Sequence, residues 1–212
     1  MQIIDADDTR MIDLPGVGPC PRPVDIDQRI TGFKWLKSLR IYRFQPGPAI
    51  HGESEVDEVF IMALAGAFKM QILGAHPFLG QLAAEGPLRA LYMTPHHAYT
   101  LTPLGPVLVA YARAKAAGLV PVQALTVQAL TGQALTGQDS EGLAEQLHFR
   151  QVNLGPGSSL DAGGRETLVH LIRGKMHCDA GVLQAGQTLA LNEGEAAALM
   201  ASEASEVLIL SA

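Results

Sequence analysis

The sequence predicts an all-β protein built as two similar small barrels in tandem with little helix, and three observations carry that expectation. The chain resembles itself. Short apolar runs alternate with turn signals along both halves, the mark of a sandwich or barrel. Helical periodicity is confined to Leu82–Glu85 and Ala112–Leu119.

The repeat is direct. "IYRFQPGPAIHGESEVDEVFIMALAGAFKM" in the first half runs beside "FRQVNLGPGSSLDAGGRETLVHLIRGKMHC" in the second. Each has a strand-like run, Pro-Gly, a polar loop, a glutamate, an apolar run and a glycine. Pro46-Gly47 matches Pro156-Gly157, Glu58 matches Glu166, and Gly66 matches Gly174. A second pair follows: "ALYMTPHHAYTLTPLGPVLVAYARA" beside "TLALNEGEAAALMASEASEVLILSA", each an apolar run, a polar turn and two further strands.

Taken in order, residues 1–29 form an extension rich in Pro and Gly, expected to wrap across a barrel or lie at an interface. Residues 30–116 form the first barrel. Residues 117–146 form a low-complexity linker, in which QALT recurs three times at a spacing of five that suits neither a helix face nor a strand face. Residues 147–212 form the second, degenerate barrel.

Composition excludes several classes. The net charge of -6, with no basic run longer than a pair, argues against a nucleic-acid surface, whose affinity rests on neutralising phosphates. No run approaches the ~20 apolar residues of a membrane span. The acidic start "MQIIDADDTR" carries no export signal, so a cytoplasmic protein is expected. Cys20 and Cys178 read as unpaired thiols. Edge strands of such barrels can pair with a second copy, so a homodimer is expected.

The Pro-Gly turn, the polar loop with His and Glu and the glycine after an apolar strand resemble the cupin superfamily, and the whole chain resembles a bicupin of two jelly-roll barrels. Over residues 30–116 it is most similar to the 5-deoxyglucuronate isomerase family and its relative 5-keto-4-deoxyuronate isomerase. "ITGFKWLKSLRIYRFQPGPAI", "EVDEVFIMALAGAFKM" and "ALYMTPHHAYTLTPLGPVLVAYARAKA" carry that similarity. It implies one divalent transition metal inside a barrel, held by two histidines one residue apart, a glutamate four or five residues later and a further histidine. Imidazole with a single carboxylate suits Fe, Mn, Ni or Zn and leaves positions open for substrate.

In that register His51 and Glu53 take the first two places and Glu58 the third. For the last histidine, strand alternation puts His97, Tyr99 and Leu101 on one face, which favours His97 because Leu101 belongs in the core; a slipped pairing makes His96 the ligand instead. The expected metal ligands are thus His51, Glu58 and His97, with Glu53 or Tyr99 as acid–base. The alternative is that "HGESEVDE" is a solvated turn, since a carboxylate in place of an imidazole leaves a buried negative charge to be offset. In the resembled isomerases the metal and the reaction belong to the second barrel. Here the matching positions hold Asp161, Gly163 and Glu166, and "LNEGEAAALM" has no histidine.

Other constellations are weaker. His170 and His177 read as structural histidines. His177 and Cys178 are strand neighbours that point apart, so they form no dyad. Trp35 is expected to pack at the edge of the first barrel, and Glu55 and Glu58 to lie in a polar turn. Two classes of function fit: a metal-dependent isomerase-like enzyme acting on a sugar acid or small carbonyl compound in the first barrel, or a non-catalytic small-molecule-binding or regulatory bicupin that has lost its metal.

Overall fold

The structure is a computed structural model that describes residues 1–73, 77–116, 127–131 and 146–212, the segment 127–131 as backbone alone. The N-terminal segment forms β1 (Gln2–Ile4), β2 (Met11–Leu14), β3 (Gly18–Pro21), β4 (Val24–Asp27) and a single turn of helix, α1 (Gln28–Thr31). Eight strands follow: β5 (Leu36–Phe44), β6 (Ile50–Glu53), β7 (Asp57–Ala65), β8 (Ala67–Leu73), β9 (Phe78–Ala83), β10 (Leu88–Met93), β11 (Ala98–Pro103) and β12 (Val107–Lys115). After β13 (Val127–Thr131) come β14 (His148–Leu154), β15 (Ser159–Gly163), β16 (Thr167–Arg173), β17 (Lys175–Cys178), β18 (Gly181–Gln184), β19 (Thr188–Leu191), β20 (Ala196–Ala201) and β21 (Ser205–Ser211).

The strand orders repeat. The first half makes a sheet β13-β10-β7-β12-β5-β4 facing a sheet β6-β11-β8-β9; the second makes β1-β19-β16-β21-β14 facing β15-β20-β17-β18. The order β10-β7-β12-β5 thus recurs as β19-β16-β21-β14, and the small sheets correspond strand for strand. The N-terminal segment belongs to both halves. β1 pairs with β19 at one sheet edge and β4 with β5 at another, while β2 and β3 form a separate hairpin. Covering an edge removes a row of unpaired backbone groups that would otherwise invite pairing. The middle QALT copy lies in β13, paired with β10; the other two copies fall outside the described residues.

Among the described residues three apolar cores fill the spaces between sheets. One lies inside the first sandwich around Ile61, Phe68, Met70 and Met93, and one inside the second around Val169, Leu183, Leu189 and Leu199. The third joins the two large sheets back to back, with Leu39, Ile41, Phe60, Met62 and Tyr92 meeting Phe149, Leu168, Leu208 and Leu210. The molecule is therefore four stacked sheets, and its two central sheets are covered on both faces. That is why β7 reads "DEVFIMAL" without alternation: Val59 and Ile61 fill the sandwich, Phe60 and Met62 the joint.

The helical periodicity at 112–115 and 82–83 does not produce helix. Ala112–Lys115 ends β12, and Leu82 and Ala83 end β9. Alanine favours helices intrinsically, but here β12 lies between β5 and β7, and Ala110, Ala112 and Ala114 line the joint. Residues 117–119 lie outside the described residues. Cys20 and Cys178 are both free. Trp35 packs at the start of β5 with the Lys115 ammonium 5.2 Å from its ring.

Candidate functional site

The first sandwich opens at one end into a cavity of about 210 Å³. Its walls follow from strand register. On β5, Arg40, Tyr42 and Phe44 face inward, while Leu39 and Ile41 between them face the joint. Arg40 stands opposite Tyr111 of β12, and Tyr42 opposite Val109, so these side chains share one face. Across the cavity, β11 contributes Tyr99 and Leu101, and β6 contributes Ile50 and Gly52. Tyr99 pairs with Gly52, and a Cβ at that glycine would overlap the tyrosine ring. Glycine is needed there so that the ring can lie against the backbone.

The cavity is aromatic with a cationic wall. Tyr42 stacks on Phe44 at 5.4 Å, and the Tyr99 and Tyr111 rings lie 6.5 Å apart at 42°. Burial pushes the Tyr99 hydroxyl well above the ordinary phenol range, and the neighbouring Tyr111 adds to it. Burial raises Tyr111 as well, partly opposed by Arg113. Both are therefore neutral hydrogen-bond donors near neutral pH. Asp25 is shared by Arg22, at 2.6 Å, and Arg40, at 3.4 Å, and Arg22 lies 5.8 Å from the Tyr42 ring centre. Further along, buried Asp57 is held between Lys37 and Arg113, each at 2.6 Å, and Arg113 also reaches Glu55 at 2.7 Å. The second cluster balances its charges; the first, two guanidiniums on one carboxylate, leaves a positive excess.

The structure separates the expected metal ligands. On β6 the inward positions belong to Ile50, which packs on the core, and to Gly52, so His51 and Glu53 take the outward ones. Both are exposed at the cavity's rim, and His51 Nδ1 lies 3.2 Å from the Thr100 hydroxyl. Glu58 has the parity of Phe60 and faces the joint, where its carboxylate accepts from the backbone N–H of Leu147 at 2.9 Å. His97 is buried beside the β10–β11 turn with Nδ1 2.9 Å from the Thr94 carbonyl oxygen, off the cavity wall. His96, the alternative, is exposed in that turn with φ 67. Among the described residues no three His, Cys, Asp or Glu side chains converge on a possible ion site. As placed, His51, Glu58 and His97 do not fit around one resident metal ion. Of the two expected acid–base groups, Tyr99 lines the cavity wall and Glu53 only its rim.

Glu166 explains what Glu58 does. It accepts from the backbone N–H groups of Lys34, Trp35 and Leu36, the last two at 2.7 and 2.9 Å. Each matched glutamate thus caps the chain leading into the first strand of the other half: Glu166 at β5, Glu58 at β14. Asp161 and Gly163 lie on β15 away from any such role, with Gly163 pressed against the Glu195 carbonyl at φ 121. His170 is buried with Nδ1 3.0 Å from the Thr188 hydroxyl, and burial lowers its pKa to about 4. His177 is exposed while Cys178 packs on the second core, so the two point apart.

Arg40, Tyr42 and Tyr111 belong to no catalytic or metal-binding motif in the sequence. The signal for Arg40 and Tyr42 is the alternation in "RIYRF", hidden because the intervening Ile41 is buried too, and Tyr111 follows only from its pairing opposite Arg40.

No protein-family model matches the chain, and no curated protein matches its sequence. Solved structures do match in shape. The bacterial pirin YhhW from Escherichia coli, in complex with nickel(II), superposes with a TM-score of 0.74 at 13% identity, covering 99% of this chain and 98% of that one. The protein Ylba from E. coli gives 0.76 at 12%, covering 99% and 90%. The quercetin 2,3-dioxygenase from Acinetobacter baumannii gives 0.69 at 15%, covering 100% and 85%. These neighbours are cupin-fold proteins, and with its nearly all-β jelly-roll sheets this chain has the cupin fold. At such identities the likeness extends to the fold alone. No helix among the described residues is long and apolar enough to cross a membrane.

Proposed function

We propose that this chain is a bicupin that binds a small organic molecule in the cavity of its first sandwich without a resident metal ion. The observation that carries the reading is the cavity wall: Arg40, Tyr42, Tyr99 and Tyr111 occupy it, while His51 and Glu53 turn outward and Glu58 caps the other half. A concave, mostly apolar site with a few convergent polar groups is the usual form of a small-molecule pocket. A metal-dependent sugar-acid isomerase would need His51, Glu58 and His97 around one ion, and those side chains serve three different neighbourhoods.

Elemental analysis tests this on protein purified without a histidine tag, wild type beside His51→Ala. The expected result is no stoichiometric transition metal in either. One ion per chain in the wild type, lost in His51→Ala, would return the isomerase reading. A fragment screen supplies the positive half of the test. Binders should compete with one another and be excluded by Val109→Trp, which fills the cavity from β12.

A further inference from the structure

Resting on the reading of this cavity as a binding site, we infer that its ligand is a monocarboxylate with a body no larger than one six-membered ring. The positive end comes from Arg40. Its partner Asp25 is claimed more closely by Arg22, at 2.6 Å against 3.4 Å. Arg40 Nε faces Asp25 Oδ1 at 3.4 Å without a well-formed hydrogen bond, and no hydrogen bond from the two Nη groups to another group is present among the described residues. Arginine presents its donors as a planar fork whose geometry matches a carboxylate. With its side chain only 32% exposed, this guanidinium is partly desolvated, and a charge-assisted contact there is stronger than one in open water.

The number of charges selects the ligand's charge. Two guanidiniums around Asp25 leave an excess of one at the Arg40 wall, and the exposed Glu53 carboxylate at the rim opposes a second negative charge, which suits a monoanion better than a phosphate dianion. Tyr111 stands directly opposite Arg40 on β12 and shares a side-chain hydrogen bond with Tyr99, so the phenol pair keeps one hydroxyl proton to donate to the second carboxylate oxygen. The Tyr42–Phe44 stack offers an apolar face to the rest of the molecule. The cavity of about 210 Å³ lies below the ~300–1,000 Å³ that takes drug-sized ligands, which limits the body to about one ring.

The protein carries its own reporters. Of its four tyrosines, Tyr42, Tyr99 and Tyr111 line the cavity, while Tyr92 is buried in the joint as a control. With ring-labelled tyrosine, benzoate should shift the three cavity signals and leave Tyr92 in place, and its neutral isostere benzamide should bind at least tenfold more weakly. Arg40→Gln should weaken benzoate tenfold or more and remove the preference over benzamide, as expected for loss of a charge-assisted contact. Should that variant misfold, Tyr111→Phe in the wild-type background should weaken benzoate several-fold while sparing benzamide more. Benzamide binding as well as benzoate would overturn the carboxylate assignment and leave the cavity as a binding site. Cavity signals unmoved by benzoate but moved by neutral fragments would overturn it as well. Signals unmoved by any fragment would overturn both readings.

Discussion

At the residue scale, the two matched glutamates carry the most information. In the sequence Glu58 matches Glu166, and its place in a cupin-like loop suggests a metal ligand. A carboxylate oxygen is as good an acceptor for backbone N–H groups as a ligand for a cation, and only the face it takes decides between them. Both carboxylates face the joint, and Glu166 holds three N–H groups at the entry to β5. Glu166→Ala strips these donors of their partner, and urea unfolding should show a loss of about 2–4 kcal/mol, since a fully buried group left unsatisfied costs ~1–3 kcal/mol. Only the Leu36 N–H is fully buried, the other two being able to regain water. His170 is the second residue with a measurable consequence. Its pKa falls to about 4 because burial disfavours the charged ring, while in the unfolded chain it stays near 6.5. The unfolded chain therefore binds a proton first as pH drops. Stability from this group is fully present above about pH 6.5 and is lost as pH falls toward 4, by about 3 kcal/mol in all. Urea midpoints measured from pH 7 to pH 4 should fall accordingly, and His170→Leu should remove that part of the slope.

At the scale of elements, what was legible depended on whether a strand has one buried face or two. The glycines Gly66 and Gly174 were recognisable as a matched pair, and the structure gives both the same task. Each turns the chain between the third and fourth strands of its half, β7–β8 and β16–β17, at φ 71 and 93, with backbone or Ser205 where a Cβ would project. Gly174→Ala should cost about 1–3 kcal/mol for the backbone conformation alone, with the clash adding to it. Thermal melts of Gly174→Ala and Gly66→Ala should both show it, whereas Gly194→Ala, in open space, should lose only the conformational part. The inward face of β6 was not legible. "IHGE" has a single apolar side chain, and a strand's face flips with a shift of one residue, so nothing in four letters distinguishes Ile50 and Gly52 inward from His51 and Glu53 inward. Tyr99 resolves it from another strand, since its ring occupies the space over Gly52.

At the scale of the whole molecule, the repeat revealed two similar halves but not that they share a core. The continuous apolar runs of β7 and β16 were the sign of it, because a strand in the middle of four stacked sheets has no solvent face. Phe149 of the second half stacks on Phe60 of the first at 4.6 Å and tilts against Tyr92 at 5.9 Å. The reciprocal glutamates border the same joint, and Arg89 of the first half reaches Glu206 of the second at 3.3 Å. Removing either half would expose the apolar face of the other, so the halves should unfold together rather than in sequence. Trp35, the only tryptophan, reports the first half at the point where Glu166 grips it; far-ultraviolet circular dichroism reports both halves. In urea the two signals should give coincident transitions, the signature of two-state unfolding. Phe149→Ala should lower stability by about 3–5 kcal/mol, the range for emptying a buried phenylalanine site. It should shift both signals by the same amount, because the joint fails as a unit. A tryptophan transition that moved while the dichroism kept a second step would mean that each sandwich stands on its own core, with the shared layer only a contact between them.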